Sequence, residues 1–123
     1  MCRVVIADDA PGSRALFRTV LENDERIEVV GEAANGAEAL AIVRSEAPDV
    51  LLCDLSMPVL DGLQTLLALR AESSPTRVVV LTGFSRDRLG PLVLDAGAVA
   101  YLEKGATPEV ICRTVMDACE VSV

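Results

Sequence analysis

Histidine and tryptophan are absent from these 123 residues, and one tyrosine and two phenylalanines make up the whole aromatic content. Without histidine there is no Ser-His-Asp chemistry, and no histidine that could itself pass on a phosphoryl group. So few aromatics leave almost no surface on which bases or sugars could stack. Positive charge is scarce too. Eleven Lys and Arg stand against 19 Asp and Glu, a net charge of −8, which argues against nucleic-acid binding because phosphate contacts need lysine and arginine. No apolar run approaches the roughly 20 residues of a membrane span, and Met1 leads straight into an apolar strand with no signal peptide. The four cysteines (Cys2, Cys53, Cys112, Cys119) contain no CxxC pair and have no histidine to help a zinc site. Cys53 lies inside an apolar run as an ordinary small core residue. Cys112 and Cys119 are about two helical turns apart on one helix face. A structural role for the cysteines outweighs a redox or metal role, and the expected compartment is a reducing cytoplasm.

What the chain has in plenty is Val, Leu, Ile and Ala: 51% of the residues are hydrophobic. The central stretch is Val50-Leu-Leu-Cys-Asp54, a wholly apolar run that ends in a carboxylate. Such a run, followed by turn residues, reads as a strand buried on both faces in a parallel sheet. Four more runs share this character: Cys2 to Ala7, Ile27 to Val30 continuing towards Ala34, Arg77 to Thr82, and Val99 to Leu102. Between and after them lie helical patterns: Ser13 to Glu22 with Leu16, Phe17, Val20 and Leu21 on one side, Gly36 or Ala37 to Ser45, Leu63 to Arg70, Ser85 to Asp95, and Val110 to Cys119. Thr107-Pro108 supplies the last helix with a threonine cap and a proline at its first position. Strand and helix thus alternate five times with short connections, which predicts a single α/β domain over 1–123, a doubly wound five-stranded parallel sheet with five helices.

In an open α/β sheet the ligand crevice lies beyond the carboxyl ends of the strands. Strand one delivers Asp8 and Asp9 there, strand three Asp54, strand four Thr82 and strand five Lys104. Three carboxylates about 5 Å apart repel by roughly 3 kcal/mol per pair at an effective dielectric near 20. A divalent cation relieves that repulsion, and hard oxygen ligands suit Mg²⁺ rather than zinc. A carboxylate, a hard cation, a lysine and a hydroxyl are together what phosphoryl transfer requires: the positive charges neutralise the transferred group and a carboxylate accepts it. Asp54 comes from the most buried strand and is therefore the best-held nucleophile. The phosphoryl group would arrive from another protein or from a small acyl phosphate.

With these residues in place the chain resembles, over its whole length, the receiver domain of a bacterial two-component response regulator, a flavodoxin-like fold. The matching pieces are Asp8-Asp9, Asp54 with Met57-Pro58 and Asp61-Gly62, Thr82, and Tyr101-Leu-Glu-Lys104. The resemblance implies that Asp54 is the phospho-acceptor. It implies that Asp9 binds Mg²⁺ (or Mn²⁺) directly, that Asp8 does so mainly through water, and that the Ser56 backbone carbonyl is a further ligand. Thr82 would hydrogen-bond the phosphoryl group, Lys104 would pair with it, and Tyr101 would be an aromatic switch that swings inward. Ser56 and Phe84, each two residues past a site residue, would tune how long the phosphoryl group survives. The stretch Lys104 to Glu109 is similar to receivers of the LuxR/NarL kind, which precede a DNA-binding output domain; no output domain lies within this chain. The implied partners are a sensor histidine kinase, a second copy of the chain in a homodimer, and such an output domain in a longer parent protein, with no nucleic acid or membrane bound by this segment. The implied role is transcription control through an aspartyl phosphate, not enzymatic turnover.

Two departures from the family pattern stand out. Gly105 takes the place of a proline often preceded by a cis bond, so a trans bond or a looser loop is expected after Lys104. Gly90-Pro91 falls inside the fourth helix, where an interior proline costs about 3 kcal/mol; the helix is expected to begin late, near Arg88 to Pro91, or to kink. Two other readings stay open: a phosphorylation-independent docking domain, and a phosphatase of the haloacid-dehalogenase type. The second wants another acid two residues after its nucleophile, where this chain has Ser56.

Overall fold

In a computed structural model, which describes residues 1–120, the five apolar runs form one parallel sheet in the order β2-β1-β3-β4-β5. The strands are β1 (Cys2–Ala7), β2 (Ile27–Ala33), β3 (Val50–Cys53), β4 (Arg77–Thr82) and β5 (Ala100–Glu103). The helices are α1 (Pro11–Glu22), α2 (Gly36–Glu46), α3 (Gly62–Ala71), α4 (Arg86–Asp95) and α5 (Pro108–Glu120). The fold expected from the sequence is the fold observed.

The two-residue period of the strands divides their side chains between two cores. Val5 and Ala7, Leu51 and Cys53, and Val78 and Val80 face α2, α3 and α4 and pack on Leu40, Val43, Leu66, Leu69 and Val93. Val4 and Ile6, Val50 and Leu52, and Val79 and Leu81 face α1 and α5 and pack on Phe17, Leu21, Ile111 and Val115. β3 is buried along its whole length, as expected of the middle strand of a covered sheet. Leu16, expected on the inner side of α1, is exposed instead; Phe17 and Leu21, four apart on one stripe, are the buried pair.

Helix boundaries follow local chemistry. α1 starts two residues before the expected Ser13, at Pro11, where the missing N–H of proline is not needed. Asn35 caps α2 by accepting from Glu38 N, and Asp61 caps α3 through a reciprocal capping box with Gln64. Thr107 Oγ1 accepts the Val110 N–H at 3.2 Å, the cap expected for α5.

The fourth helix corrects the expected late start: α4 begins at Arg86 and runs through Pro91. Ser85 supplies a cap, its Oγ accepting from Asp87 N at 3.3 Å. Gly90 removes the other obstacle, because the clash that keeps a pre-proline residue out of the helical region involves a Cβ that glycine lacks. Pro91 still leaves the Asp87 carbonyl without its helical donor. Pro91→Ala should therefore stabilise the protein by about 2 kcal/mol, the interior-proline penalty less the entropy that proline removes from the unfolded chain. Chemical denaturation of both proteins checks this, together with amide exchange over 84–95, which should slow in the variant.

One pair of cysteines departs from the reduced state expected, while Cys53 is the buried core residue expected. Cys2 and Cys119, at the start of β1 and the end of α5, form a disulfide across 117 positions. Cys53 is a buried free thiol that burial pushes up to about 12, so it is unreactive.

Candidate functional site: an acidic cluster bridged by a lysine

The strand register brings the site together. Ala7 pairs with Cys53, and the ladder continues one step further because Asp8 N donates to Ala33 O and Asp54 N donates to Ala7 O. Asp8 and Asp54 therefore stand side by side at the carboxyl edge. On the far side Thr82 pairs with Glu103, and Lys104 N donates to Thr82 O at 2.8 Å, which aims the lysine across the edge at the acids.

Lys104 Nζ lies 2.8 Å from Asp54 Oδ2 and 3.0 Å from Asp8 Oδ2. The two carboxylates are nearly inaccessible, with side chains 6% and 4% exposed, while the lysine keeps 26%. Burial opposes the ammonium, but hydrogen bonds to Asp54 and Asp8 outweigh it and hold the Lys104 pKa above its ordinary value. Asp8 spends its other oxygen on Ala10 N at 2.9 Å, and Asp54 Oδ1 accepts from Ser56 N at 3.3 Å. Asp9 is exposed and has no ion-pair partner among the described residues. Carboxylate oxygens of Asp8, Asp9 and Asp54 all lie within 4.8 Å of one another. One ammonium against three carboxylates leaves excess negative charge on hard oxygen donors, a set that fits a divalent cation such as Mg²⁺.

Asp9, Asp54, Ser56, Thr82, Phe84 and Lys104 line one open cleft. Thr82 is fully buried, its Oγ1 3.5 Å from the Phe84 N–H. Phe84 is 42% exposed at the rim. Tyr101 already points inward: it is buried, and its hydroxyl donates to Phe84 O at 2.9 Å, with Ser85 O at 3.3 Å. Burial, with the charges of Glu103 and Asp54 behind it, raises its phenol pKa. Every residue singled out for the site from the sequence thus borders the cleft or contacts a residue that does, Tyr101 through Phe84. Among the described residues no peptide bond is cis, so the Lys104–Gly105 bond is trans.

Three supporting contacts were not legible beforehand. Arg14 Nη1 donates to the Asp8 carbonyl at 2.6 Å while its Nε pairs with Glu32 at 3.1 Å, bracing the Asp8-Asp9 turn. Glu103 accepts from Arg86 N at 3.2 Å and so ties β5 to the start of α4. Gly62 lets α3 approach β3: a Cβ there would fall against the Asp54 carbonyl oxygen and within 2.7 Å of Leu55 Cα. Those atoms are backbone and cannot move aside, so Gly62→Ala should destabilise by about 3 kcal/mol, the upper end of ordinary overpacking. A urea titration of the variant measures it. The only sequence signal for Gly62 was its place in the Asp61-Gly62 pair.

The family model described as "Response regulator receiver domain" matches residues 4–116. The chain belongs to that family. Among its relatives are an uncharacterized transcriptional regulatory protein, YhcZ of Bacillus subtilis, 40% identical over 112 residues, and the response regulator UvrY of Escherichia coli K12, 36% identical over 115. These alignments cover 91% and 94% of this chain but 52% and 53% of the relatives, so the chain spans about half the length of the curated relatives it matches. Among solved structures, the signal receiver domain of the putative response regulator NarL from Mycobacterium tuberculosis superposes with a TM-score of 0.94 at 35% identity, covering 98% of each chain. The likeness to LuxR/NarL-type regulators read from Lys104 to Glu109 agrees with these relatives.

Proposed function

We propose that this domain is a phosphorylation-switched signalling module that takes a phosphoryl group onto Asp54 from a partner histidine kinase. The observation that carries the reading is the bridge from Lys104 Nζ to both Asp54 and Asp8 beside the exposed carboxylate of Asp9. Mg²⁺, or Mn²⁺ in its place, would be held by Asp9, Asp54 and the Ser56 carbonyl, with Asp8 acting mainly through water, and supplies positive charge to neutralise the incoming phosphate.

The chain's own residues do the rest. Asp54 contributes the nucleophilic oxygen, held by Ser56 N and by the strand beneath it. An Asp54 carboxylate oxygen forms the new P–O bond as the P–N bond to the donor's imidazole breaks, and the imidazole keeps the electron pair and takes up a proton. Lys104 shifts its ion pair from Asp54 to a phosphoryl oxygen, and the Thr82 hydroxyl donates to another. Moving Thr82 disturbs Phe84 N, and Phe84 O is the acceptor for Tyr101, so the site communicates with the α4–β5 face through one short chain of contacts. That face, or the one formed by α1 and α5, would change partners or join two copies. The chain is read as one cytoplasmic receiver unit over 1–123, controlling transcription through a DNA-binding output domain in a longer parent or through a separate partner. It performs only its own phosphorylation and dephosphorylation.

Phe84 at the rim hinders a water approaching phosphorylated Asp54 in line. Phe84→Ala should speed loss of the phosphoryl group, by about tenfold if the side chain is the main barrier, equivalent to about 1.4 kcal/mol; a decay time course by intact mass gives the rate. The function as a whole is tested by incubating the chain with acetyl phosphate and Mg²⁺. A stable gain of one phosphoryl group supports the switch, turnover of phosphomonoesters would indicate a phosphatase, and inertness would indicate a docking domain.

A further inference from the structure

We propose that Cys2 and Cys119 form a redox-reversible thiol–disulfide site that clasps the last described turn of α5 to the start of β1. The clasp lies far from the acids. Cys2 opens β1 and Asp8 follows its end, so six residues of strand, about 20 Å at 3.3 Å per residue, separate the two sites. The two Cα atoms are 6.0 Å apart, inside the span of roughly 4.4–6.8 Å that a disulfide accepts without backbone movement. The bond can therefore open and close on a fixed frame.

That frame does not depend on the bond. Cys2 N donates to Arg26 O at 2.7 Å, and β1 is paired on both sides, with β2 and β3. α5 is seated by Ile111, Val115 and Ala118, all buried. A domain of this size with two filled cores needs no covalent staple, so reduction leaves it folded and loosens only the turn beyond Ala118. The two sulfurs are unequal. Cys2 is 2% exposed, whereas Cys119 is half-buried on a helix end, so an attacking thiolate reaches the bond from the Cys119 side. Cys112, seven positions earlier, faces Val20 O instead and Cys53 is enclosed, so no other described cysteine competes.

Closure by a peroxide balances as two thiols and one hydrogen peroxide giving one disulfide and two waters, with both sulfurs oxidised and the peroxide oxygens reduced. Opening by a low-molecular-weight thiol proceeds through a mixed disulfide on Cys119, and a second thiol then releases the oxidised reagent. In a reducing cytoplasm the pair rests as thiols, so the clasp reports oxidant independently of the phosphoryl group on Asp54.

The whole 123-residue chain is reduced with dithiothreitol, desalted, and divided between buffer and hydrogen peroxide; each portion is then unfolded, alkylated and weighed. The expected result is four alkylated cysteines before peroxide, two after it with a Cys2–Cys119 linked peptide, and four again on renewed reduction. Cys119→Ser should hold three alkylatable thiols under the same mild peroxide treatment, while Cys112→Ser should still close the bond. Amide exchange at 119–120 should be faster in the reduced protein, on the order of tenfold, with that of β3 unchanged. Four free thiols after peroxide, a bond to Cys112 instead, or equal exchange at 119–120 in both states would each overturn the proposal.

Discussion

Lys104→Ala should destabilise the protein by about 3 kcal/mol, because removing one partner of a buried ion pair leaves the other charges uncompensated. Two carboxylates are left here, Asp8 and Asp54, with side chains only 4% and 6% exposed. The figure sits at the low end of the usual range because the lysine is itself 26% exposed, so water already screens part of the pairing. At this chain length the loss corresponds to a fall in Tm of roughly 10 °C. Lys104→Met, which keeps the aliphatic stem, separates lost packing from lost charge and should cost nearly as much. The pairing raises the lysine pKa. Its contribution is therefore full below lysine's ordinary pKa and fades only as pH climbs through the raised one, so the wild-type–variant gap should be flat across neutral pH. Millimolar Mg²⁺ should narrow the gap, since a cation bound only by the folded state stabilises it by mass action. Thermal melts of both proteins with and without Mg²⁺ measure all of this.

Asp54→Asn should abolish phosphorylation altogether. Asparagine keeps one acceptor oxygen, enough for either Ser56 N or Lys104 but not for both, and Lys104 retains its pairing with Asp8, so the fold should persist with a modestly lowered melting temperature. Its amide oxygen is a poor nucleophile and carries no charge to hold a cation. Two effects should therefore appear together: no gain of mass with acetyl phosphate and Mg²⁺, and a smaller rise in Tm on adding Mg²⁺. Asp9→Asn should keep the nucleophile but lose much of the Mg²⁺ response, which distinguishes the two carboxylates.

The sequence made the architecture legible because its strands are short apolar runs bounded by turn residues, a pattern that only a sheet covered on both faces rewards. The cluster was legible for the same reason: once Val50 to Cys53 is the middle strand, the residue after it must reach the edge beside those after β1, β4 and β5. What escaped notice depends on distances that periodicity does not encode. The Cys2–Cys119 bond joins opposite ends of the chain, and nothing in their spacing paired them. Arg14 reaches the Asp8 carbonyl from the first turn of α1, a contact that hydrophobic periodicity does not report. Pro91 misled the reading of α4, because the missing Cβ of Gly90 and the Ser85 cap together offset what an interior proline takes away. Leu16 misled the reading of α1: it fits the apolar pattern, but the helix settles on Phe17 and Leu21.

In the proposed switch the lysine-bridged pair of acids presents Asp54, and no other carboxylate, to an incoming phosphoryl group. Borohydride reduction of the protein after treatment with acetyl phosphate and Mg²⁺, followed by peptide sequencing, tests it most directly. Position 54 should be recovered as homoserine while Asp8 and Asp9 remain aspartate. Homoserine at position 8 or 9, or unmodified aspartate at all three, would contradict it.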